Sequence, residues 1–385
     1  MLQFKNLKQV ITTFSDEKVC RDFLVQQRWN GSPVCPYCGS NKWYSIEDGK
    51  RFKCGNKECY KKYSVTVGTC FHASNIPLST WLPAMYLLTA HKKGISSCQL
   101  AKDLGVTQKT AWFMLHRIRE NLSSKDSPLL KNIVEVDEVY IGGGLKNMSN
   151  KKRKALKENS TNQYSNKTMV IGMIERGGDL KLQVAGNEQN KRNIPPIVYN
   201  NVDKSASLMT DGDVIYPVIG RNYTNHQVVN HAVKEYVRDG VVHTNTIEGA
   251  FGLFRRSIIG IYHKMSPKHL SRYCSEMQYR YNSRGLKDGD RFEFTLTHVS
   301  TKLSWKQLTK DNGLTAETII EPEMPLIRVK QKQQHKVAQI SKGEIIATFN
   351  SLKEAAMITG VGLTSISKVL RGVNLSAGGY VWKYV

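Results

Sequence analysis

Apolar and polar residues alternate with two periods along this chain, and the points where one gives way to the other mark its elements. Helical spacing runs around Phe14 to Trp29 and again through 76–122. Ile133-Val-Glu-Val-Asp-Glu-Val-Tyr-Ile141 alternates as a strand does, with Val134, Val136 and Tyr140 on one face and Glu135 and Asp137 on the other. The apolar runs Met169–Ile174 and Leu180–Val184 extend it to a three-stranded meander. Ser207–Asp211 reads as a short strand ending in a carboxylate, and His243–Glu248 opens an amphipathic helix to about Ile258. The expected organisation is a multidomain α+β chain. It comprises an N-terminal helix and cysteine-rich unit over 1–75, a helix-turn-helix over 76–125, a mixed α/β domain over 130–309, a linker over 310–334 and a compact unit over 335–385. The stretch Lys146–Lys167, rich in Lys, Asn and Ser, reads as a solvated loop, with a phosphate-contacting arm as the alternative.

The helix-turn-helix pattern occurs twice. In Ser97–Arg119, Leu100, Ala101 and Leu104 face inward, Gly105 makes the turn, Val106 plugs it, and Ala111 and Met114 anchor the second helix. Thr107, Gln108, Lys109 and Arg117 are left to face DNA. Ala356, Gly360, Val361, Ile366 and Val369 repeat the grid 255 positions later, placing Lys368 and Arg371 on one face of the second helix. A hairpin about Lys342-Gly343 is expected before this repeat and a closing strand, Gly378–Tyr384, after it.

Charge narrows the class of partner. Lys and Arg number 56 against 32 Asp and Glu, a formal net charge of +24. Such an excess points to a polyanion, nucleic acid before an anionic membrane surface. The longest apolar stretch, Trp81–Ala90, contains Pro83 and falls short of the ~20 residues that span a bilayer. The first residues lack the apolar core of a signal peptide, so a cytoplasmic location is expected. Four of eight cysteines crowd into Cys35-Pro-Tyr-Cys38-Gly39 and Cys54-Gly-Asn-Lys-Glu-Cys59. Two tight pairs suit a tetrahedral Zn²⁺ held by Cys35, Cys38, Cys54 and Cys59, structural in role because four protein ligands leave no open position. The other four cysteines, Cys20, Cys70, Cys98 and Cys274, read as core or surface thiols.

The acids carry the chemistry. Asp137 and Asp211 sit on strands, and Glu248 sits on the helix that follows. Asn245 lies one turn before Glu248, and Arg255 seven residues after it, nearly in line. Hard Mg²⁺ (or Mn²⁺) prefers carboxylate oxygens, and two such ions ~3.5–4 Å apart suit phosphoryl transfer. Arg255 is placed to hold a phosphate. Glu135, Glu138 and Asp213 read as supporting acids or bystanders.

With these residues in view, the chain resembles a bacterial insertion-sequence transposase of the DDE type. The resemblance is carried by Trp29, Cys35-Pro-Tyr-Cys38-Gly39, Val136-Asp137-Glu138 with Gly142-Gly143, Thr210-Asp211-Gly212 and Asn230-His231. It continues in His243-Thr-Asn-Thr-Ile-Glu248, Phe254-Arg-Arg256, Gly260-Ile-Tyr-His263, His269-Leu270, Tyr273, Glu276 and Arg280-Tyr-Asn282-Ser-Arg284, and covers about 1–309. It implies a zinc ribbon, an RNase H-like catalytic core, and a nucleoid-associated protein acting as a homo-oligomer on double-stranded DNA. It also implies that Asp137, Asp211 and Glu248, with Asn245 as the other candidate for the third position, hold the catalytic metal, and that Arg255 and Arg256 stand where relatives carry Lys-Arg. The 335–385 unit, with six Lys/Arg against two Glu, is similar to the small modular DNA-binding domains behind the nucleases of homing endonucleases. A metal-dependent endonuclease that cuts without joining, and a DNA-binding regulator with vestigial acids, are the alternative functions.

Overall fold

The computed structural model describes residues 4–123, 127–143, 147–151, 153–154, 167–186, 191–229, 235–297, 299–310, 336–341, 344–370 and 374–384. Gly144, most of the 146–167 loop, Asn230, His231, the linker from 311, the Lys342-Gly343 turn and Arg371 lie outside these residues. The chain divides into two compact units, Met1–Met324 and Pro325–Val385.

Helices α1 (Leu7–Thr13) and α2 (Glu17–Trp29) open the first unit. They correct the single helix expected around Phe14–Trp29. Phe14 closes α1, and the Asp16 carboxylate starts α2 by accepting from the Lys18 N–H at 2.8 Å. Strands β1 (Trp43–Ile46), β2 (Arg51–Cys54) and β3 (Lys62–Tyr63) form a small antiparallel sheet, a hairpin leading into the second cysteine pair plus one strand after it.

Helices α3 (Leu78–Ala90), α4 (Ser97–Leu104) and α5 (Gln108–Asn121) follow. Ser96 caps α4, Gly105 ends it in the left-handed region at φ +64°, and Thr107 caps α5. Leu100, Ala111 and Met114 are fully buried, and Thr107, Gln108 and Lys109 are exposed. Arg117 departs from the sequence expectation. It is 3% exposed and donates to the His72 carbonyl at 2.6 Å, with its guanidinium against Trp81 and Phe113. It lies three residues from Met114 on the inward face, where its stem packs with apolar neighbours and its head finds a carbonyl.

A five-stranded sheet forms the heart of the unit: β4 (Ile133–Ile141), β5 (Thr168–Glu175), β6 (Leu180–Gly186), β7 (Ser207–Asp211) and β8 (Asn225–Val229), in the order β6-β5-β4-β7-β8. The first three strands are the antiparallel meander, and β7 and β8 run parallel to β4. A short connection joins β5 to β6, the longer segment 142–167 joins β4 to β5, and the parallel strand returns through α6 (Ile194–Asn201). Val134 and Val136 pack with α6 and with Tyr216 and Ile219 of α7 (Tyr216–Gly220). Val139 and Ile141 pack on the opposite face with α8 (Asn245–Ser257) and α9 (Leu270–Asn282). The strand alternation read from the sequence therefore holds along β4. In α8, buried Ile247, Ala250, Phe251 and Phe254 repeat at helical spacing and face the sheet.

Helices α10 (Asp288–Thr297) and α11 (Trp305–Thr309) end the described part of the unit. Phe292 and Leu296 of α10 join Phe14, Leu24, Trp81, Leu82 and Leu100 in one core, so the N-terminal helices and the helix-turn-helix share a single apolar interior. Between α5 and α9 lies a buried charge network. Glu276 receives Arg119 Nε at 2.5 Å on one oxygen, and Arg280 Nη1 at 2.5 Å and the Tyr262 hydroxyl at 2.6 Å on the other. Burying these charges is tolerable because each oxygen is paired.

The second unit is a three-stranded sheet, β10-β9-β11, of β9 (Val337–Ser341), β10 (Glu344–Phe349) and β11 (Val381–Tyr384), with α12 (Leu352–Thr359) and α13 (Leu363–Leu370). Val337, Phe349, Ala355, Ile366, Val369 and Trp382 form its own core. Ser351 caps α12, and Gly360 ends it at φ +70°. These are the cap positions of Ser96 and Gly105 displaced by 255, so the repeated grid is a repeated pair of helix boundaries.

Candidate active site

The site is built where β4 and β7 run side by side. Val136 pairs with Thr210 at the end of the β4–β7 ladder, so Asp137 and Asp211 follow where β7 stops, while β4 runs on to Ile141. Open sheets take ligands where a parallel strand stops and its connection turns away, as β7 does here. Local bonds fix both side chains. Asp137 Oδ1 accepts from the Glu138 N–H at 2.7 Å, and Asp211 Oδ1 from the Asp213 N–H at 3.1 Å.

Among the described residues, Asp137, Glu138 and Asp211 bring carboxylate oxygens within 4.8 Å of one another. Glu138, read as a supporting acid or bystander, belongs to this group, although successive side chains point to opposite faces of a strand. Burial, and then the Asp211 and Asp137 carboxylates, push Glu138 up to about 8. Three crowded acids of this kind are stable together only with a proton or a cation among them.

A pH dependence follows. In the folded ion-free protein Glu138 keeps its proton to about pH 8, whereas unfolded it loses it near 4.5. Folded stability therefore falls as pH rises through that window. Glu138→Gln removes the effect, so the variant melts above the wild type at pH 8 and level with it at pH 4.5. Thermal melts with and without Mg²⁺ check this. Equal pH profiles in EDTA contradict it.

Of the helix-borne candidates, Glu248 is not in the group of carboxylates that lie within 4.8 Å of one another. Asn245 and Glu248 are exposed in the first turn of α8, and Glu248 Oε1 accepts from the Thr244 hydroxyl at 3.2 Å. Arg255 and Arg256 are exposed in the last turn. Glu135, also read as a supporting acid, is fully buried on the α8 side of β4 and bonds to that helix. Strand periodicity placed it beside Asp137 but could not show what covers it.

The cysteine site is in the ribbon. Cys35 and Cys59 sulfurs are 3.8 Å apart and Cys38 and Cys54 sulfurs 3.6 Å, and all four lie within 4.8 Å. A tetrahedron with Zn–S bonds of ~2.3 Å has edges of ~3.8 Å, so the four thiols fit zinc without rearrangement. The Asn56 N–H donates to Cys54 Sγ at 3.4 Å, a bond that supports a thiolate. Cys20, Cys70 and Cys274 are buried and Cys98 is exposed, as a mixture of core and surface thiols requires.

Residues 129–282 match the family model for the ISXO2-like transposase domain, and residues 15–62 match that for the transposase zinc-ribbon domain. The chain carries an ISXO2-like transposase domain and a transposase zinc ribbon. Its sheet is the RNase H-like core of that domain, with the clustered acids inside the matched region. An uncharacterized protein in transposable element ISH50 of Halobacterium salinarum is 27% identical over 281 residues, covering 70% of this chain and 92% of its own. The simian T-cell lymphotropic virus intasome in complex with PP2A regulatory subunit B56 gamma matches 70% of this chain and 86% of its own, at 10% identity and a TM-score of 0.21, and carries no argument about the fold. No described helix is long and apolar enough to cross a membrane.

Proposed function

We propose that the chain is the transposase of an insertion sequence, which binds the element's terminal repeats as double-stranded DNA, cuts them and joins them to target DNA. The observation that carries this reading is the convergence of Asp137 and Glu138 of β4 with Asp211 at the end of the parallel strand β7, within a transposase domain. Asp137 and Asp211 would hold two Mg²⁺ (or Mn²⁺) ions, with Glu138 beside them and Glu248 or Asn245 as the ligand from α8. When bound, such ions would supply Lewis-acid activation of the attacking oxygen and charge neutralisation at the departing one. Water attacks the phosphodiester at the element end, and the broken P–O bond leaves a 3′-hydroxyl. That hydroxyl then attacks a target phosphodiester, whose own 3′ oxygen departs, each in-line step inverting phosphorus. Arg255 and Arg256 neutralise the phosphates, and Cys35, Cys38, Cys54 and Cys59 hold a structural Zn²⁺. The protein acts as a homo-oligomer on DNA in the bacterial nucleoid. Mg²⁺-dependent nicking of terminal-repeat DNA tests the reading, and binding without nicking would leave only a DNA-binding regulator.

The third ligand is separable by mutation. Glu248→Gln keeps an oxygen and removes the charge; Asn245→Ala removes an oxygen and no charge. A hard cation loses more with the charge, so Glu248→Gln has the lower nicking rate. Activity that survives Glu248→Gln and is lost in Asn245→Ala assigns the position to Asn245 instead.

The 335–385 unit is proposed as a second DNA-contacting module, with exposed Lys368 and, beyond the described residues, Arg371 on phosphates rather than base edges. Its own apolar core supports independent folding. Deleting 335–385 leaves chemistry on pre-cut ends intact, weakens DNA binding and flattens its salt dependence by ~0.9 in log–log slope for each phosphate that the truncated protein no longer neutralises. Binding of intact and truncated protein to one duplex over a salt series checks this. Identical affinity and slope contradict it.

A further inference from the structure

We infer that Glu135 is a positioning residue of the metal site: its carboxylate seats the first turn of α8 beside Asp137 and so sets where the helix-borne ligand meets the strand-borne acids. The inference rests on the reading above, that these residues hold a divalent ion.

Glu135 precedes Asp137 by two positions on the same face of β4, with no exposed surface. Each of its oxygens has a defined set of donors. Oε2 accepts from the Thr246 N–H at 2.8 Å and the Ile247 N–H at 3.0 Å, two of the amides that the start of a helix leaves without partners. Oε1 accepts from the Thr246 hydroxyl at 2.9 Å and from Arg176 Nε at 2.6 Å, and His243 Nδ1 lies 3.2 Å away. The Arg176 guanidinium also donates to the carbonyls of Val241 at 2.6 Å and His243 at 2.9 Å, and so holds the segment that leads into the helix.

Two further features show that the arrangement fixes position as well as caps a helix. The residue placed to cap α8 locally, Thr244, makes no side-chain bond to the helix amides and gives its hydroxyl to Glu248 instead. Capping is thereby moved from the helix to the strand that carries Asp137. One turn further on, α8 presses against β5 at Gly172, the cross-strand partner of Asp137. A Cβ at Gly172 would stand 2.6 Å from the Phe251 ring and 2.8 Å from Ile247 Cδ1. The notch and the carboxylate together leave the helix one register on the sheet. Burying a carboxylate is costly, and a helix end can be capped at the surface by a local Ser, Thr or Asp. A carboxylate supplied by the neighbouring strand does what a local cap cannot: it couples the place of Asn245 and Glu248 to that of Asp137.

The test is made on the full-length protein with Mn²⁺ as probe. In Glu135→Gln one oxygen becomes an NH₂ that cannot accept, so either the helix amides or the Arg176 and Thr246 side chains face a donor. The apolar face of α8 is untouched. We expect faster hydrogen exchange of the amides in the first turn of α8 and Mn²⁺ affinity lowered about tenfold, the lower end of what residues that orient metal ligands command. Nicking recovers at high Mn²⁺ in Glu135→Gln and does not in Asp137→Asn. A folded Glu135→Gln with wild-type Mn²⁺ affinity overturns the inference. Should that variant not fold, Thr246→Val, which removes only the hydroxyl arm, decides in its place: affinity lowered about threefold supports the inference and unchanged affinity overturns it. Wild-type protein that binds Mn²⁺ but cuts no DNA defeats the transposase reading and leaves the positioning role to the binding data. Wild-type protein that binds no Mn²⁺ defeats both.

Discussion

Asp137→Asn and Asp211→Asn each abolish DNA cleavage while end binding stays at the wild-type level. The two changes are nearly isosteric. The amide oxygen still accepts the Glu138 N–H that Asp137 Oδ1 takes at 2.7 Å, or the Asp213 N–H that Asp211 Oδ1 takes at 3.1 Å, so the strand ends keep their shape. What disappears is one negative charge from a group whose function is to hold a hard cation. Losing several kcal/mol of charge stabilisation in the transition state corresponds to a rate at least about a thousandfold lower. The surfaces read as gripping DNA are other residues, on the helix-turn-helix, in the last turn of α8 and in the 335–385 unit. A nicking assay and a gel shift on the same terminal-repeat duplex, run for each variant, check both halves. Nicking near the wild-type rate by either variant contradicts the assignment.

Cys35→Ser has the second large effect. The ribbon's apolar content is Cys35, Phe52, Cys54 and Tyr63 with Trp29 and Trp43 against them, too little to hold three short strands by burial alone. A Zn²⁺ on four thiolates supplies the missing stability, since in small metal domains binding free energy is folding free energy. Serine is a poor ligand for zinc, and losing one of four opens the tetrahedron. The variant loses about one zinc per chain, its ribbon becomes open to proteolysis, and the α3–α5 core, which packs with α1, α2 and α10, stays folded. Elemental analysis and limited proteolysis read the two effects. Wild-type protein without zinc, or a Cys35→Ser ribbon as resistant as the wild type, contradicts this.

Local pattern carried most of the architecture. Paired cysteines at metal-ligand spacing, alternation in β4 and the apolar stripe of α8 each state a short-range rule, and each element formed where that rule placed it. The meander followed because three successive apolar runs pair antiparallel, β5 with β6 through a short connection and β4 with β5 across the longer segment 142–167. What pattern could not convey is what an element is covered by. Glu135 and Asp137 look alike in a strand reading, yet one is sealed beneath a helix end and the other opens to an edge. Glu138 has the parity of the opposite face and still joins the acids, beside the point where the neighbouring strand β7 stops. Arg117 was expected outside on charge, but its long stem follows Met114 inward and its head meets the His72 carbonyl, a partner 45 residues distant in sequence. The break at Phe14–Asp16 was legible in principle, since Asp16 followed by Glu17 is a helix start. The repeated grid was the deepest sequence signal, because caps and core positions recur together.

The central claim is that these acids transfer DNA strands, and strand transfer with pre-cut ends tests it most directly. Wild-type protein is incubated with terminal-repeat duplexes already bearing free 3′-hydroxyls, a supercoiled target and Mg²⁺. Joined products, absent in EDTA and absent with Asp137→Asn, are the expected result. Nicked target with no joined product would contradict it and leave an endonuclease.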